Sequence, residues 1–239
     1  MYNRSLLVFL TFLSFALTEL KAQMIPGTTA LSVSATPKVS QASHEKAELG
    51  ESNGTFGANL QLEVNYQYNR RLAVGIGVKY SYDRLEARNY TPILACDIDP
   101  VNGPDVFNSW FEDEYTATYI GIPIFFRFYL GGQKPAIYTR FGYEFLFRVA
   151  TDQESVLRSC GENSVSVGQA LLGEFNRNAS KLSLGLGLMF GNENKPIRFF
   201  LEPEVAYWAT RVFQEEGSLG SLPNNIRLLD IGLRTGIFF

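Results

Sequence analysis

The stretch Leu228 to Phe239 (LLDIGLRTGIFF) decides how this 239-residue chain is read. Leu229, Ile231, Leu233, Ile237 and Phe239 share one face, with Thr235 among them; Asp230, Gly232, Arg234, Gly236 and Phe238 take the other. A period of 2 is that of a β-strand. The segment closes on two aromatic rings. A frayed end in water exposes such rings at a cost, whereas a strand end facing lipid incurs none. The alternative is the buried last strand of a soluble sandwich, and the rest of the chain must decide between them.

The same alternation recurs upstream. The ranges 28–35, 59–68, 72–83, 115–130, 136–149, 181–190 and 197–210 each place apolar residues at every second position, and with the final stretch they make eight expected strands. The clearest is 59–68, where Leu60, Leu62, Val64, Tyr66 and Tyr68 oppose Gln61, Glu63, Asn65 and Gln67. Pro123 lies inside the fourth strand, and its missing donor would ordinarily demote that strand to an edge.

The connections alternate in length. Ranges 38–55, 84–114, 150–178 and 211–224 read as loops, and 69–71, 131–135 and 191–196 as tight turns. Strict long–short alternation with both termini on one side is the habit of up-and-down membrane barrels, whose turns face the periplasm and whose long loops face outward. A soluble barrel has no reason to follow it. The expected fold is therefore all-β, an eight-stranded antiparallel up-and-down transmembrane β-barrel. Tyr66, Tyr68, Phe126, Phe128 and Phe239 fall at turn-side strand ends, and Tyr80, Tyr82 and Tyr207 at loop-side ends, as two interfacial girdles would require.

Bulk properties agree. A mean hydropathy of -0.04 excludes a helical membrane protein but suits faces that average out. A net charge of -3 gives no hint of nucleic-acid binding. Residues 1–22 carry Arg4, then the apolar run Leu6 to Leu17, too short to span a bilayer as a helix, and a small residue at Ala22. They read as a cleaved signal peptide, which leaves 23–239 as the barrel domain; the alternative is an uncleaved anchor. Export places Cys96 and Cys160, both in long loops, in an oxidising compartment where a disulfide between them is the expectation.

The Tyr119-Ile120-Gly121-Ile122-Pro123-Ile124 segment, the Leu-Gly-Leu-Gly-Leu run at 184–188 and the terminal Phe239 together resemble the small outer-membrane β-barrel family, the OmpA-barrel and OmpX-like proteins including PorT-like members. The resemblance implies the cell outer membrane as location, outer-membrane lipid and the barrel-insertion machinery as partners, Phe239 as part of the insertion signal, and tolerance of a proline within a closed strand. It names no activity.

With apolar faces outward, the interior would hold Glu63, Lys79, Asp83, Arg127, Arg140, Glu144, Arg148, Lys181, Arg198, Glu202, Glu204, Asp230 and Arg234, seven basic and six acidic. An eight-stranded interior is only wide enough to be filled by side chains. Charges that close must pair, and their balance points to a plugged, ion-paired core rather than a pore, which would favour one sign. Ser43-His44-Glu45 contains the residue types of an acyl-transfer triad, but three adjacent side chains point different ways. One histidine and two distant cysteines make no zinc set. The expectation is no enzyme and no cofactor: a structural or interaction role, with a subunit of a secretion or surface-assembly complex, in contact with other envelope proteins, or a narrow small-solute channel as alternatives.

Overall fold

The computed structural model describes residues 26–43, 50–91, 98–99, 103–104, 109–130, 136–158, 164–166, 176–191, 197–212 and 227–239. Eight strands form the wall: β1 (Thr29–Ser43), β2 (Phe56–Gln67), β3 (Leu72–Thr91), β4 (Ser109–Tyr129), β5 (Ala136–Arg158), β6 (Asn178–Phe190), β7 (Arg198–Trp208) and β8 (Arg227–Phe238). Each pairs antiparallel with the next, and β8 returns to β1, with Val33 opposite Ile237 and Val39 opposite Ile231. The barrel is closed. Two short segments extend the wall beyond its loop-side rim, Gly50–Gly54 along β3 and Ser164–Ser166 along β5.

At the turn side the β2–β3 connection is fixed by one side chain. Asn69 Oδ1 accepts from the backbone N–H of Arg71 at 2.8 Å and of Leu72 at 2.9 Å, the local closure that makes asparagine a turn residue.

The faces are inverted relative to a soluble protein. Along β2, Asn59, Gln61, Glu63, Asn65 and Gln67 are buried, while Leu60, Val64 and Tyr66 are exposed; Glu63 is 0% accessible and Val64 44%. The same inversion runs through the other wall strands, leaving Ile76, Val78, Ile122, Phe141, Leu184 and Ile231 on the outside. Water would not tolerate so continuous an apolar belt. Lipid requires it, and a closed barrel is the one sheet that leaves no unpaired edge within a bilayer.

Inside, the polar band is capped at both ends. Tyr129, Tyr138, Met189, Phe200 and Phe238 pack at the turn side, and Leu85, Tyr115, Tyr119, Leu146, Trp208 and Leu228 at the loop side. Glycine makes room for the rings that share the interior. A Cβ at Gly187 would lie 2.0 Å from Tyr138 Cζ, and one at Gly75 2.1 Å from Phe125 Cζ.

Two features differ from expectation. Strands β3, β4 and β5 reach 20, 21 and 23 residues, well into ranges read as loops. On β5 the consecutive residues Ala150, Thr151 and Asp152 are all exposed, so there backbone pairing continues where the alternation of faces stops. Strand β1 likewise runs to Ser43, which moves Lys38 from an expected loop into the wall. In keeping with the closed barrel expected, β4 is no edge. Pro123 stays paired with Glu144 of β5 and interrupts only the β3 ladder, which resumes in unchanged register from Ile76–Ile124 to Lys79–Gly121. Pro37 and Pro203 do the same, the first between β1 and β8, the second between β6 and β7.

Candidate functional site

The feature with chemical content is the charged band inside the barrel. Alternation delivers it: every second residue of each strand points inward, and eight strands bring inward residues far apart in sequence to one depth.

In the turn-side half the hub is Glu63 on β2. Its carboxylate lies 2.5 Å from Arg234 Nη2, 3.0 Å from Arg140 Nη2 and 3.6 Å from Arg127 Nη2. It also accepts from Ser32 Oγ at 2.9 Å and Gln61 Nε2 at 2.6 Å. Glu202 takes Arg234 Nη1 at 3.0 Å and the Tyr138 hydroxyl at 2.7 Å, and Glu204 takes Arg140 Nη1 at 3.0 Å. The guanidinium groups lie over buried aromatic rings. Arg127 lies 4.8 Å from the ring centres of both Tyr138 and Phe238, Arg140 4.3 Å from Phe125, and Arg234 5.0 Å from Phe200. Planar, weakly hydrated guanidinium suits both partners at once.

The loop-side half uses lysine and aspartate. Lys181 Nζ contacts Asp230 Oδ2 at 2.7 Å and Asp83 Oδ1 at 3.3 Å. Lys38 pairs with the same two, touching Asp83 and lying 3.0 Å from Asp230. Ser40 and Ser81 hydroxyls donate to Asp230 and Asp83 at 2.7 and 2.6 Å. Trp208 Nε1 reaches Asp230 at 3.3 Å, and its ring carries Lys181 Nζ 4.1 Å from its centre. Between the halves Lys79 Nζ binds both oxygens of Glu144, at 2.9 and 2.8 Å.

Of the thirteen charges read from sequence, twelve are buried in this band; Arg198 is among them, 5.9 Å from the Phe238 ring centre. Arg148 is instead half-buried at the loop-side rim. The β4–β5 register shifts by one residue between Thr118 and Tyr119, so the alternation that carries Glu144 inward no longer holds beyond Arg148. The cation that sequence reading missed is Lys38, 3% accessible. Its signal was present, since Val33, Ala35, Pro37 and Val39 oppose Ser34, Thr36, Lys38 and Ser40 without a break.

Phe239 is half-buried one residue past β8, its N–H donating to the Leu31 carbonyl at 2.8 Å. Cys96, Cys160, His44 and Glu45 lie outside the described residues, as does the 1–22 segment. Among the described residues there is no histidine or cysteine, and no group of three or more metal-ligating residues.

Closed wall, lipid-ready exterior and polar interior define a transmembrane barrel of eight strands. The chain belongs to the outer membrane protein β-barrel domain family, whose model matches residues 22–208. Its location is accordingly the outer membrane. Among solved structures it is similar to OprG from Pseudomonas aeruginosa, at 12% identity and a TM-score of 0.40 over 92% of this chain and 98% of that one. It is also similar to Neisserial surface protein A, at 12% identity and 0.37 over 88% and 95%. Ail, the attachment invasion locus protein of Yersinia pestis, is similar at 15% identity and 0.34 over 90% and 100%. Similarity at this level says nothing about activity. No curated protein matches the chain.

Proposed function

We propose that the barrel is non-catalytic and closed, an ion-paired plug in a lipid-facing wall, whose work is done by its ends: envelope integrity and contacts through the long loops or the turns. The observation that carries this reading is the pairing inside. Glu63, Asp83, Glu144, Glu202, Glu204 and Asp230 each lie within 4 Å of at least one cationic side chain, and aromatic layers cap the band on both sides. A conducting interior would leave charges of one sign facing water. Residues 1–22 would direct export and be removed, 23–239 would form the mature barrel, Phe239 would be read by the insertion machinery, and a Cys96–Cys160 disulfide would tie two loops.

Planar-bilayer recording of the purified protein tests the plug. The expected record is flat at physiological salt; a stable ohmic step that scales with salt would overturn it in favour of a solute channel. A second reading, membership in an envelope complex, draws support from the long paired extensions of β3, β4 and β5 beyond the rim. Co-purification from outer membranes in mild detergent separates the two, since a complex subunit brings stoichiometric companions and a stand-alone barrel does not.

A further inference from the structure

A phenol stands at mid-height on the lipid face of the wall. The outward stripe of β5 runs from Ile137 to Val149, and Tyr143 is its central residue, 36% accessible. About six residues to either end, at ~3.3 Å each and tilted by ~40°, put it roughly 15 Å from both boundaries of the hydrocarbon core. Its ring lies edge-on to Phe145, 4.7 Å between centres, and its hydroxyl bonds to no described residue. Acyl chains hold no acceptor at that depth, so the hydroxyl stays unsatisfied at a cost.

The complementary group is on the far side of the barrel. The Phe239 N–H donates to the Leu31 carbonyl, so alternate residues of β1 from Leu31 onward bond toward β8, Pro37 among them. Pro37 has no N–H. The ladder is broken where it faces Leu233 and resumes at Lys38 and Gly232. The Leu233 carbonyl therefore lacks its ladder donor, on a face where lipid supplies none. The outward side chains beside it are short: Pro37, Ala35 and Thr235 are exposed, the last two paired with each other.

The two groups share a level. A line of paired residues leaves β1 at Leu31, crosses Ile124, Tyr143 and Leu182, reaches Leu229 on β8 and meets β1 again at Gln41, ten residues nearer the loops. Eight seams share that climb, so the three between β5 and β8 carry the line about four residues above the level of Tyr143. Stepping that far from Leu229 toward the turns gives Leu233. Strand β5 stands four strands from β1 in a ring of eight, so donor and acceptor sit on opposite sides of one barrel and cannot meet within it.

We propose that copies of this barrel stand side by side in the membrane in head-to-tail rows, the Tyr143 phenol of one entering the Pro37 seam of the next and donating to its Leu233 carbonyl. Between lipid-facing walls apolar burial gives no drive, whereas close packing and a hydrogen bond do. Copies inserted in one direction meet only at equal depth, which the stagger of the strands satisfies. Because the two faces differ and lie opposite, the contact repeats instead of closing on a pair. It belongs to the wall, adds to any contact made by the barrel's ends, and does not depend on whether the interior conducts.

The test is disulfide trapping of the full barrel in lipid vesicles, in a Cys96→Ser/Cys160→Ser background. Phe141→Cys and Ala35→Cys each lie two residues to the turn side of the contact, and no single barrel can join them. Together they should give a ladder of dimers, trimers and longer species on oxidation. Tyr143→Phe should lower the trapped fraction about fivefold, the scale of one hydrogen bond, and so should Pro37→Ala, which returns a donor to Leu233. Tyr80→Phe, a lipid-facing change a quarter-turn away on β3, should leave it unchanged. Every variant should keep the boiling-dependent gel shift of a folded barrel; if the cysteine-free background loses it, glutaraldehyde crosslinking of the native chain against Tyr143→Phe is read instead. Monomers alone, or a yield indifferent to Tyr143→Phe in a folded barrel, overturn the proposal. Dimers from Phe141→Cys by itself would also overturn it, by marking a symmetric pair through β5.

Discussion

The two halves of the interior solve one problem with different residues. On the turn side three arginines converge on Glu63 and continue to Glu202 and Glu204, their guanidinium groups close to aromatic rings. On the loop side two lysines and two aspartates form a four-membered ring in which each charge has two partners. A guanidinium presents a fixed fork of donors and can bridge carboxylates on separate strands, whereas an ammonium is a compact point charge on a flexible stem. The turn half is therefore organised by one hub and the loop half by redundancy. Loss of the hub takes one anionic partner from three arginines at once, leaving Arg140 and Arg234 to Glu204 and Glu202; loss of one lysine leaves every aspartate with a partner.

That contrast sets an order of effects, read as shifts in urea unfolding free energy of the barrel in lipid vesicles. Glu63→Gln should be the most damaging, by about 4 kcal/mol, because it leaves Arg127, Arg140 and Arg234 buried around a neutral amide. Arg234→Lys should cost about 2–3 kcal/mol, since an ammonium cannot span Glu63 and Glu202 as the fork does. Lys38→Met should cost less, about 2 kcal/mol, and the Lys38→Met/Lys181→Met pair should exceed the sum of the singles, as expected for charges in one network. If Lys38→Met matched Glu63→Gln, the hub-versus-ring distinction would be wrong. Gly187→Ala should cost about 1–2 kcal/mol by pressing on the Tyr138 ring. The smallest effect sharpens the comparison most. Lys181→Met should change the emission of Trp208 in the folded barrel, whereas Arg234→Lys, in the other half, should leave it unaltered.

The wall was legible in the sequence because a bilayer imposes strict alternation on every residue inside it. Gln61, Glu63 and Asn65 could be assigned inward from the spacing of Leu62 and Val64 alone. Beyond the rim that constraint lapses, and the paired stretches 84–91 and 150–158 carried no periodic trace. Lys38 was concealed by the proline before it, which looks like a strand end although only one of its two ladders is affected. The partition of the charges into an arginine half and a lysine half was also out of reach. It depends on which inward residues from eight strands reach the same depth, and that is set by the stagger between strands rather than by any one of them.

Pro37, Pro123 and Pro203 each silence one seam of the wall, between β8 and β1, β3 and β4, and β6 and β7, without shifting register. Between those seams lie panels of three, three and two strands whose ladders contain no proline interruption. Mechanically the barrel is thus less a uniform tube than staves joined at three softer joints, and lateral pressure from the bilayer would be taken up at the joints first. Amide hydrogen exchange in the folded state should trace those three lines down the wall.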